Sequence, residues 1–152
     1  MSRKYPEHPL LGVGAIIFDG SKVLLVKRAG EPLKGWWSIP GGLVETGETI
    51  EQALRRETRE ETGLELEQIT RFDLFERIMR DGDGRAEYHY VLVDYICKSA
   101  GGVLRAGDDV SQVEWVEVVD LRKDDLRSYQ VTSGTIEAVE RAYEIHVRRT
   151  GA

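Results

Sequence analysis

An acidic face lies on the strongest predicted helix of the chain, at positions where the sequence pattern calls for a buried core. The first turns of this segment carry an apolar stripe formed by Ile50, Ala53 and Leu54. Continued at about 3.6 residues per turn, the same stripe reaches Glu57 and Glu61. Carboxylates four residues apart repel one another, and burying unpaired charge is costly. These residues therefore need a compensating cation.

Hard divalent cations with oxygen ligands supply that compensation, since Mg²⁺ takes a few carboxylates, keeps waters and bridges to substrate phosphates. Glu60 lies at the edge of the stripe, so the three glutamates fall within an arc of about 100°. The alternative is a solvated acidic face held by pairs such as Glu51 with Arg55, which is common for acidic helices. Continuity of the stripe into Glu57 and Glu61 favours the metal site.

Composition fits one soluble globular domain over residues 1–152, with 41% hydrophobic and 32% charged residues. A formal net charge of -6 argues against nucleic-acid binding through a basic surface. No apolar run reaches membrane-spanning length and residues 1–9 carry no apolar signal-peptide core, so we expect a cytoplasmic protein without a membrane partner. The single cysteine, Cys97, lies in an apolar run and is expected to be a buried thiol.

Two helices and several strands must position the acidic face. Thr49 and Gln52 form a capping-box pair and Gly63 is a C-terminal stop, which predicts the central helix over residues 50–62. A second helix is predicted over residues 135–149. Strands are predicted over residues 10–18, 22–27, 36–39, 66–79, 86–97 and 113–118, with turns at Asp19-Gly20 and at residues 81–84. This order indicates an α/β or α+β sandwich.

The segment 42–64 resembles the Nudix box. That box is a glycine, five residues, a glutamate, seven residues, and then Arg-Glu-(apolar)-x-Glu-Glu-x-Gly-(apolar). Its fixed positions are matched here by Gly42, Glu48, Arg56, Glu57, Glu60, Glu61 and Gly63. One apolar position holds Thr58, a departure that affects helix packing more than chemistry. Residues 37–41 ahead of the box also look like the family, so the resemblance is specific.

The resemblance implies a Nudix-type α/β/α sandwich with a mixed β-sheet and a loop-helix-loop motif. It implies metal binding by Glu57, Glu60 and Glu61, with a backbone carbonyl near Gly41 or Gly42 as a further ligand. The expected cofactor is Mg²⁺, or Mn²⁺, with two or more ions when substrate is bound. Arg56 and Glu48 match positions that brace the carboxylates, and the planar fork of an arginine suits that task.

Hydrolysis of a pyrophosphate needs metal ions that neutralise the phosphates and activate a water, and a carboxylate that takes the water's proton. Glu60 is one candidate for this base and a downstream loop acid is the other. The loop 106–109, ahead of a tryptophan-bearing strand, resembles the acidic loop of the family. Asp109 is the preferred loop acid and metal ligand and Asp108 is the next candidate, while the alternative is a plain polar hairpin loop.

Residues 12–17, 24–28, 37–42 and 88–91 look most like the compact ADP-ribose pyrophosphatases. We therefore expect a small-molecule nucleotide substrate, a nucleoside diphosphate linked to another moiety, with ADP-ribose favoured. Alternatives are a (d)NTP pyrophosphohydrolase and a dinucleoside polyphosphate hydrolase. Other classes are a non-catalytic nucleotide-sugar sensor, for which an intact box is unusual, and a metal-buffering domain.

Substrate contacts are assigned to the glycine-rich loop at Gly41 and Gly42, to Arg28 and to Trp37. Arg28 ends a strand and can reach a phosphate, although a solvated strand end is the alternative. One of Trp36 and Trp37 is expected in the core, because adjacent strand residues face opposite sides. A homodimer that uses residues 5–11 is an open expectation.

Overall fold

The computed structural model describes residues 3–123 and 130–151, in which a seven-stranded mixed sheet lies between two α-helices. The strands are β1 (Leu10–Asp19), β2 (Lys22–Arg28), β3 (Trp37–Ser38), β4 (Gly41–Leu43), β5 (Leu64–Arg80), β6 (Ala86–Gly102) and β7 (Val110–Glu117). The helices are α1 (Ile50–Thr62) and α2 (Thr135–Thr150), and a short 3-10 helix, Val118–Asp120, follows β7.

The sheet forks between its first two strands. β1 pairs in parallel with β6 on one edge, but on the other it pairs with β2 only beside the Asp19-Gly20 turn. Beyond that turn β3 adds to β2 and β4 adds to β1, both antiparallel. β5 pairs with β6 and β7 pairs with β2 to complete the sheet. Residues 37–43 thus run through the fork, beside the cavity described below.

Two hydrophobic clusters form on opposite faces of the sheet, because successive side chains of a strand point to opposite sides. The cluster beneath α1 contains Val13, Ala15, Ile17, Leu24, Ala53, Leu54, Leu64, Leu66 and Cys97. The cluster beneath α2 contains Ile16, Phe18, Val23, Leu25, Trp37, Ile96, Val116, Val118, Leu121, Val139 and Ala142. The predicted α/β/α arrangement with a mixed sheet is confirmed.

The central helix begins and ends where the sequence predicts. The Gln52 amide donates to Thr49 Oγ1 at 3.1 Å and the Thr49 amide donates to Gln52 Oε1 at 2.8 Å, which completes the capping box. Gly63 ends the helix with φ at 77° and donates its amide to the Arg59 carbonyl. Cys97 is buried as expected, and burial raises the pKa of its thiol to about 12.

One strand was not predicted. The strand predicted over residues 36–39 was expected to end there, whereas Gly41–Leu43 forms a further strand, β4, against β1. A Cβ atom at residue 41 would overlap the Val13 carbonyl, so glycine permits this close approach of two backbones. The same glycines lower the sequence preference for a strand, which explains the difference. No helix in the described ranges is long and apolar enough to cross a membrane.

Candidate active site

A cavity of about 1080 Å³ lies beside the fork and is lined by both motif residues and strand residues. One end is acidic and holds carboxylates of α1 and of the loop ahead of β7: Glu57, Glu60, Glu61, Asp108 and Asp109. The other end is formed by β5, β6 and the start of α2, and includes Phe75, Arg77, Tyr90, Asp94 and Ser133. The volume suits a ligand of nucleotide size.

The acidic end contains two carboxyl groups whose pKa values are raised by burial. Glu61 is only 9% exposed, and desolvation, with repulsion from Glu57, raises the pKa of its carboxyl to about 8. The pKa of Glu57 is also raised, first by desolvation, although the neighbouring Arg56 opposes the shift. An added cation would favour the charged form of both groups.

The glycine-rich strand β4 provides a cradle for these carboxylates. A Cβ atom at residue 42 would overlap the Glu57 carboxylate, so only glycine allows this contact. The amide of Gly41 donates to Glu61 Oε2 at 3.4 Å. Both glycines also line the cavity, which places backbone groups beside the carboxylates of Glu57 and Glu61.

Arg56 connects the motif loop to the acidic face of α1. Its guanidinium donates to both Glu48 oxygens, at 2.6 and 3.0 Å, and to the Leu43 carbonyl at 3.0 Å. Its Nη1 donates to Glu57 at 2.8 Å and to Glu60 at 3.2 Å. Pairing with Arg56 lowers the pKa of the Glu48 carboxyl to about 2. The residue therefore fixes the loop before α1 and orients two of the glutamates.

The acidic loop docks on the carboxyl end of α1. Carbonyls in the last turn of a helix lack intrahelical donors, and here the amides of Arg105, Gly107 and Asp108 donate to the carbonyls of Thr62, Glu61 and Glu60 at 2.9 to 3.0 Å. The Asp109 carbonyl accepts from the Ala29 amide at 3.0 Å. Asp108 and Asp109 thereby line the same cavity as the glutamates.

The acidic side chains line one cavity without being gathered into a tight cluster. Among residues 3–123 and 130–151, no group of three or more Asp, Glu, His or Cys side chains is arranged to hold a metal ion. Glu60 lies at the rim and is bound by Arg56. This arrangement still suits Mg²⁺, which commonly takes one or two protein carboxylates and completes its shell with waters and substrate phosphates.

The two tryptophans are placed oppositely with respect to the cavity. Trp37, predicted to bind substrate, is 4% exposed and packs in the cluster beneath α2, so its ring is not available for stacking. Trp36 lines the cavity instead. This corrects the choice between the two rings, which sequence alone could not make. Arg28 also lines the cavity and donates Nε to the Pro32 carbonyl at 2.8 Å.

Asp94 and Arg77 are charged residues of the cavity wall that were not assigned from the sequence. Asp94 on β6 is 7% exposed, and burial raises the pKa of its carboxyl to about 6. Arg77 on β5 donates Nη2 to the Ser133 carbonyl at 2.9 Å. Arg77 and Asp94 lie outside segment 42–64, and a charged residue within an apolar strand pattern was the one available signal.

Comparison with known proteins identifies the relatives of this chain. A family model described as NUDIX domain matches residues 8–133. An ADP-ribose pyrophosphatase of Methanocaldococcus jannaschii is 39% identical over 116 residues, which are 76% of this chain. The nucleoside triphosphatase NudI of Escherichia coli K12 is 37% identical over 118 residues, which cover 73% of this chain and 84% of NudI.

A solved structure shares the fold at similar coverage. The MutT NUDIX hydrolase from Burkholderia pseudomallei superposes with a TM-score of 0.73 at 31% identity, over 88% of this chain and 98% of that one. The chain spans 66% of the length of the archaeal relative, and 27% and 65% of curated relatives from Caenorhabditis elegans and Bacillus subtilis. These three relatives therefore extend beyond the matched region.

Proposed function

The chain belongs to the Nudix family, and from this premise we propose that it is a metal-dependent hydrolase of a pyrophosphate bond. The substrate is a nucleoside diphosphate linked to another moiety, with ADP-ribose favoured. Water attacks one phosphorus and the bridging P–O bond breaks, which leaves a nucleoside monophosphate and a phosphorylated second product.

The observation that carries this proposal is the pair of the half-buried Glu57 and the buried Glu61. Their burial raises the pKa of each carboxyl, and the Arg56 guanidinium opposes this shift only at Glu57, which it contacts directly. Ionised carboxylates in such a place require a cation, and the adjoining cavity has room for a nucleotide. A divalent ion satisfies the carboxylates and the phosphates of the substrate together.

The metal would be Mg²⁺ or Mn²⁺, as two or more ions that share Glu57, Glu60, Glu61, the Gly42 carbonyl and Asp109 as their ligands. When bound, it neutralises the phosphates and makes a coordinated water more acidic. Asp109 or Glu60 accepts the proton of the attacking water on a carboxylate oxygen. Arg56 keeps Glu57 and Glu60 oriented, and Arg28 contacts a phosphate at the cavity wall.

The experiment that tests this proposal is a phosphate-release assay with a coupled phosphatase. The panel contains ADP-ribose, ADP-glucose, NADH, diadenosine tetraphosphate, dGTP and 8-oxo-dGTP, each with Mg²⁺, Mn²⁺ or EDTA. We expect metal-dependent cleavage with ADP-ribose well above the others. Absence of turnover by folded protein across the panel would sink the enzymatic proposal and favour a nucleotide-binding module.

A matched pair of variants on one helix tests the metal ligands. Glu57→Gln keeps the shape of a side chain that contacts Gly42, and we expect kcat to fall at least about 100-fold. Glu51→Gln is the control, because Glu51 is exposed and pairs with Arg55 at 3.2 Å. Wild-type rates for Glu57→Gln, with both variants folded by circular dichroism, would remove the metal-site assignment.

A second candidate is hydrolysis of nucleoside triphosphates. It is favoured by the 37% identity to NudI, of which the matched region covers 84%. The acidic end of the cavity serves either substrate, since both present adjacent phosphates. A kcat/KM for dGTP above that for ADP-ribose in the same panel would select this candidate and retain the metal chemistry.

A further inference from the structure

Asp94 brings a second acidic group into the cavity, away from the carboxylates of α1. Its side chain is 7% exposed and lines the cavity wall. Within residues 3–123 and 130–151, its carboxylate takes part in no hydrogen bond and no ion pair. Nearby charges of Arg77 and Asp73 act on it only through space. A buried carboxylate without a donor is costly, so the cavity is expected to offer it a partner from outside the chain.

The neighbouring strand gives this carboxylate a defined place. Gly14 of β1 lies beside Asp94 in the parallel ladder, and a Cβ atom at residue 14 would overlap the Asp94 carboxylate and the Ile39 side chain. Gly14 therefore leaves the room that the Asp94 carboxylate fills. Any larger residue at position 14 would displace the Asp94 side chain.

The sheet also fixes the distance between Asp94 and the acidic end. Gly14 pairs with Asp94 on one side and with Gly41 on the other, and Gly41 donates its amide to Glu61. Two inter-strand spacings, about 10 Å, thus separate Asp94 from Gly41. A nucleotide whose phosphates lie at Glu61 would extend its sugar and base along this direction.

The wall around Asp94 combines one acceptor with donors and rings. Arg77 lies on the adjacent strand β5, with its position held by the Ser133 carbonyl. Phe75, on the same strand, and Tyr90 line the cavity as well. Aromatic side chains can pack against a flat heterocycle. The Asp94 carboxylate accepts hydrogen bonds and the Arg77 guanidinium donates them, so together they suit a ligand that carries both donors and acceptors.

We propose that Asp94 is a specificity-determining residue that accepts a hydrogen bond from a donor group on the nucleoside portion of the substrate. The proposal rests on the proposed function in that the ligand is a nucleotide. Its donor is either the exocyclic amino group of the base or a hydroxyl of the sugar. A site with a buried acceptor discriminates strongly against analogues that lack the donor, since the acceptor then stays unpaired.

Calorimetric titration of the metal-free protein in EDTA tests this assignment without any hydrolysis. The probes are AMP, IMP, in which an oxygen replaces the amino group, and ribose 5-phosphate. The proteins are the wild type, Asp94→Asn and the control Asp73→Asn, whose acid pairs with Arg141 at 2.9 Å. A protein without pyrophosphatase activity can still give a clear result here, so failure of the two proposals is distinguishable.

We expect Asp94→Asn to weaken AMP binding at least tenfold and Asp73→Asn to leave it unchanged. If Asp94 contacts the amino group, the wild type prefers AMP over IMP, and this preference is smaller in the variant because a neutral amide oxygen is a weaker acceptor than a carboxylate. If it contacts hydroxyls, all three probes weaken together. Wild-type affinities in Asp94→Asn, or no binding of any probe to the wild type at millimolar concentration, would overturn the proposal.

Thermal melting at pH 7.5 separates recognition from a structural role. Burial raises the pKa of Asp94, so its ionised form opposes folding, and Asp94→Asn is expected to melt at a higher temperature than the wild type. If Asp94 instead stabilised the fold, Asp94→Asn would melt at a lower temperature than the wild type. A lower melting temperature for Asp94→Asn would assign the residue to stability and contradict the proposal.

Discussion

Thr58 occupies a position that is apolar in the motif, and its side chain affects the stability of the fold. The side chain is fully buried, and within residues 3–123 and 130–151 its Oγ1 is the one side-chain polar atom that is completely shielded from solvent and has no hydrogen-bond partner. From the sequence, Thr58 is expected to affect packing more than chemistry. Its buried position on α1 agrees with an effect on stability.

We predict that Thr58→Val raises the free energy of unfolding by about 1 kcal/mol, because it removes an unpaired hydroxyl while keeping the shape of the side chain. Thr62→Val is the control, since Thr62 Oγ1 donates to the Thr58 carbonyl at 2.7 Å and accepts from the Leu64 amide. That variant should lose stability. Urea denaturation measures both, and a destabilised Thr58→Val would mean that its hydroxyl has a partner in solution.

Asp109 can be tested as the base with little disturbance of its backbone. Its φ of 60° lies in the left-handed region, which asparagine tolerates well. Asp109→Asn therefore removes the charge without adding strain, and we expect kcat to fall about 100-fold or more. Asp108→Asn tests the next candidate on the same loop in the same way. If both variants keep the wild-type kcat, the loop acids are not the base and Glu60 becomes the leading candidate.

At the scale of elements, the docking of the acidic loop on α1 depends on Gly107. Its amide donates to the Glu61 carbonyl, and a Cβ atom at this position would overlap the Glu60 carbonyl. The contact couples the end of the helix that carries the glutamates to the loop that carries Asp109. A substitution at Gly107 should therefore disturb both the helix end and the acidic loop without altering any charge.

We predict that Gly107→Ala lowers the free energy of unfolding by about 1–3 kcal/mol through steric overlap and also lowers kcat. Gly82→Ala serves for comparison, because nothing lies within 4 Å of a Cβ atom at that turn. Chemical denaturation and steady-state kinetics provide the two measurements. Equal behaviour of the two variants would show that the loop does not dock through Gly107.

At the scale of the whole molecule, metal binding at the proposed site would be linked to folding. The cavity carboxylates come from α1 and from the loop ahead of β7, so only the folded chain brings them together. An ion that binds the folded state alone stabilises it in proportion to RT ln(1 + [L]/Kd). The site should therefore be detectable without substrate.

We predict that Mg²⁺ at about 100 times its Kd raises stability by about 2.7 kcal/mol, seen as a higher melting temperature that EDTA reverses. Glu57→Gln should lose most of this increase, whereas Glu51→Gln should retain it. A melting temperature that does not respond to millimolar Mg²⁺ or Mn²⁺ would argue that the metal enters only together with the substrate.

The sequence by itself determined the local features. The capping pair Thr49 and Gln52 and the stop at Gly63 defined α1 to the residue, because the bonds that end a helix join residues close in the chain. The periodicity of the same segment identified the acidic face. The family resemblance came from this stretch of residues 42–64, whose spacing is a property of one helix and one loop.

Only the tertiary structure decided which distant residues share the cavity. Asp94 lies beside Gly14 because of the register between β1 and β6, and Trp36 rather than Trp37 faces the cavity because of how β3 pairs with β2. β4 exists through a close backbone approach that glycine permits and strand propensity disfavours. Each of these depends on pairing between separate segments, and a one-residue change of register would reverse the facing of the side chains.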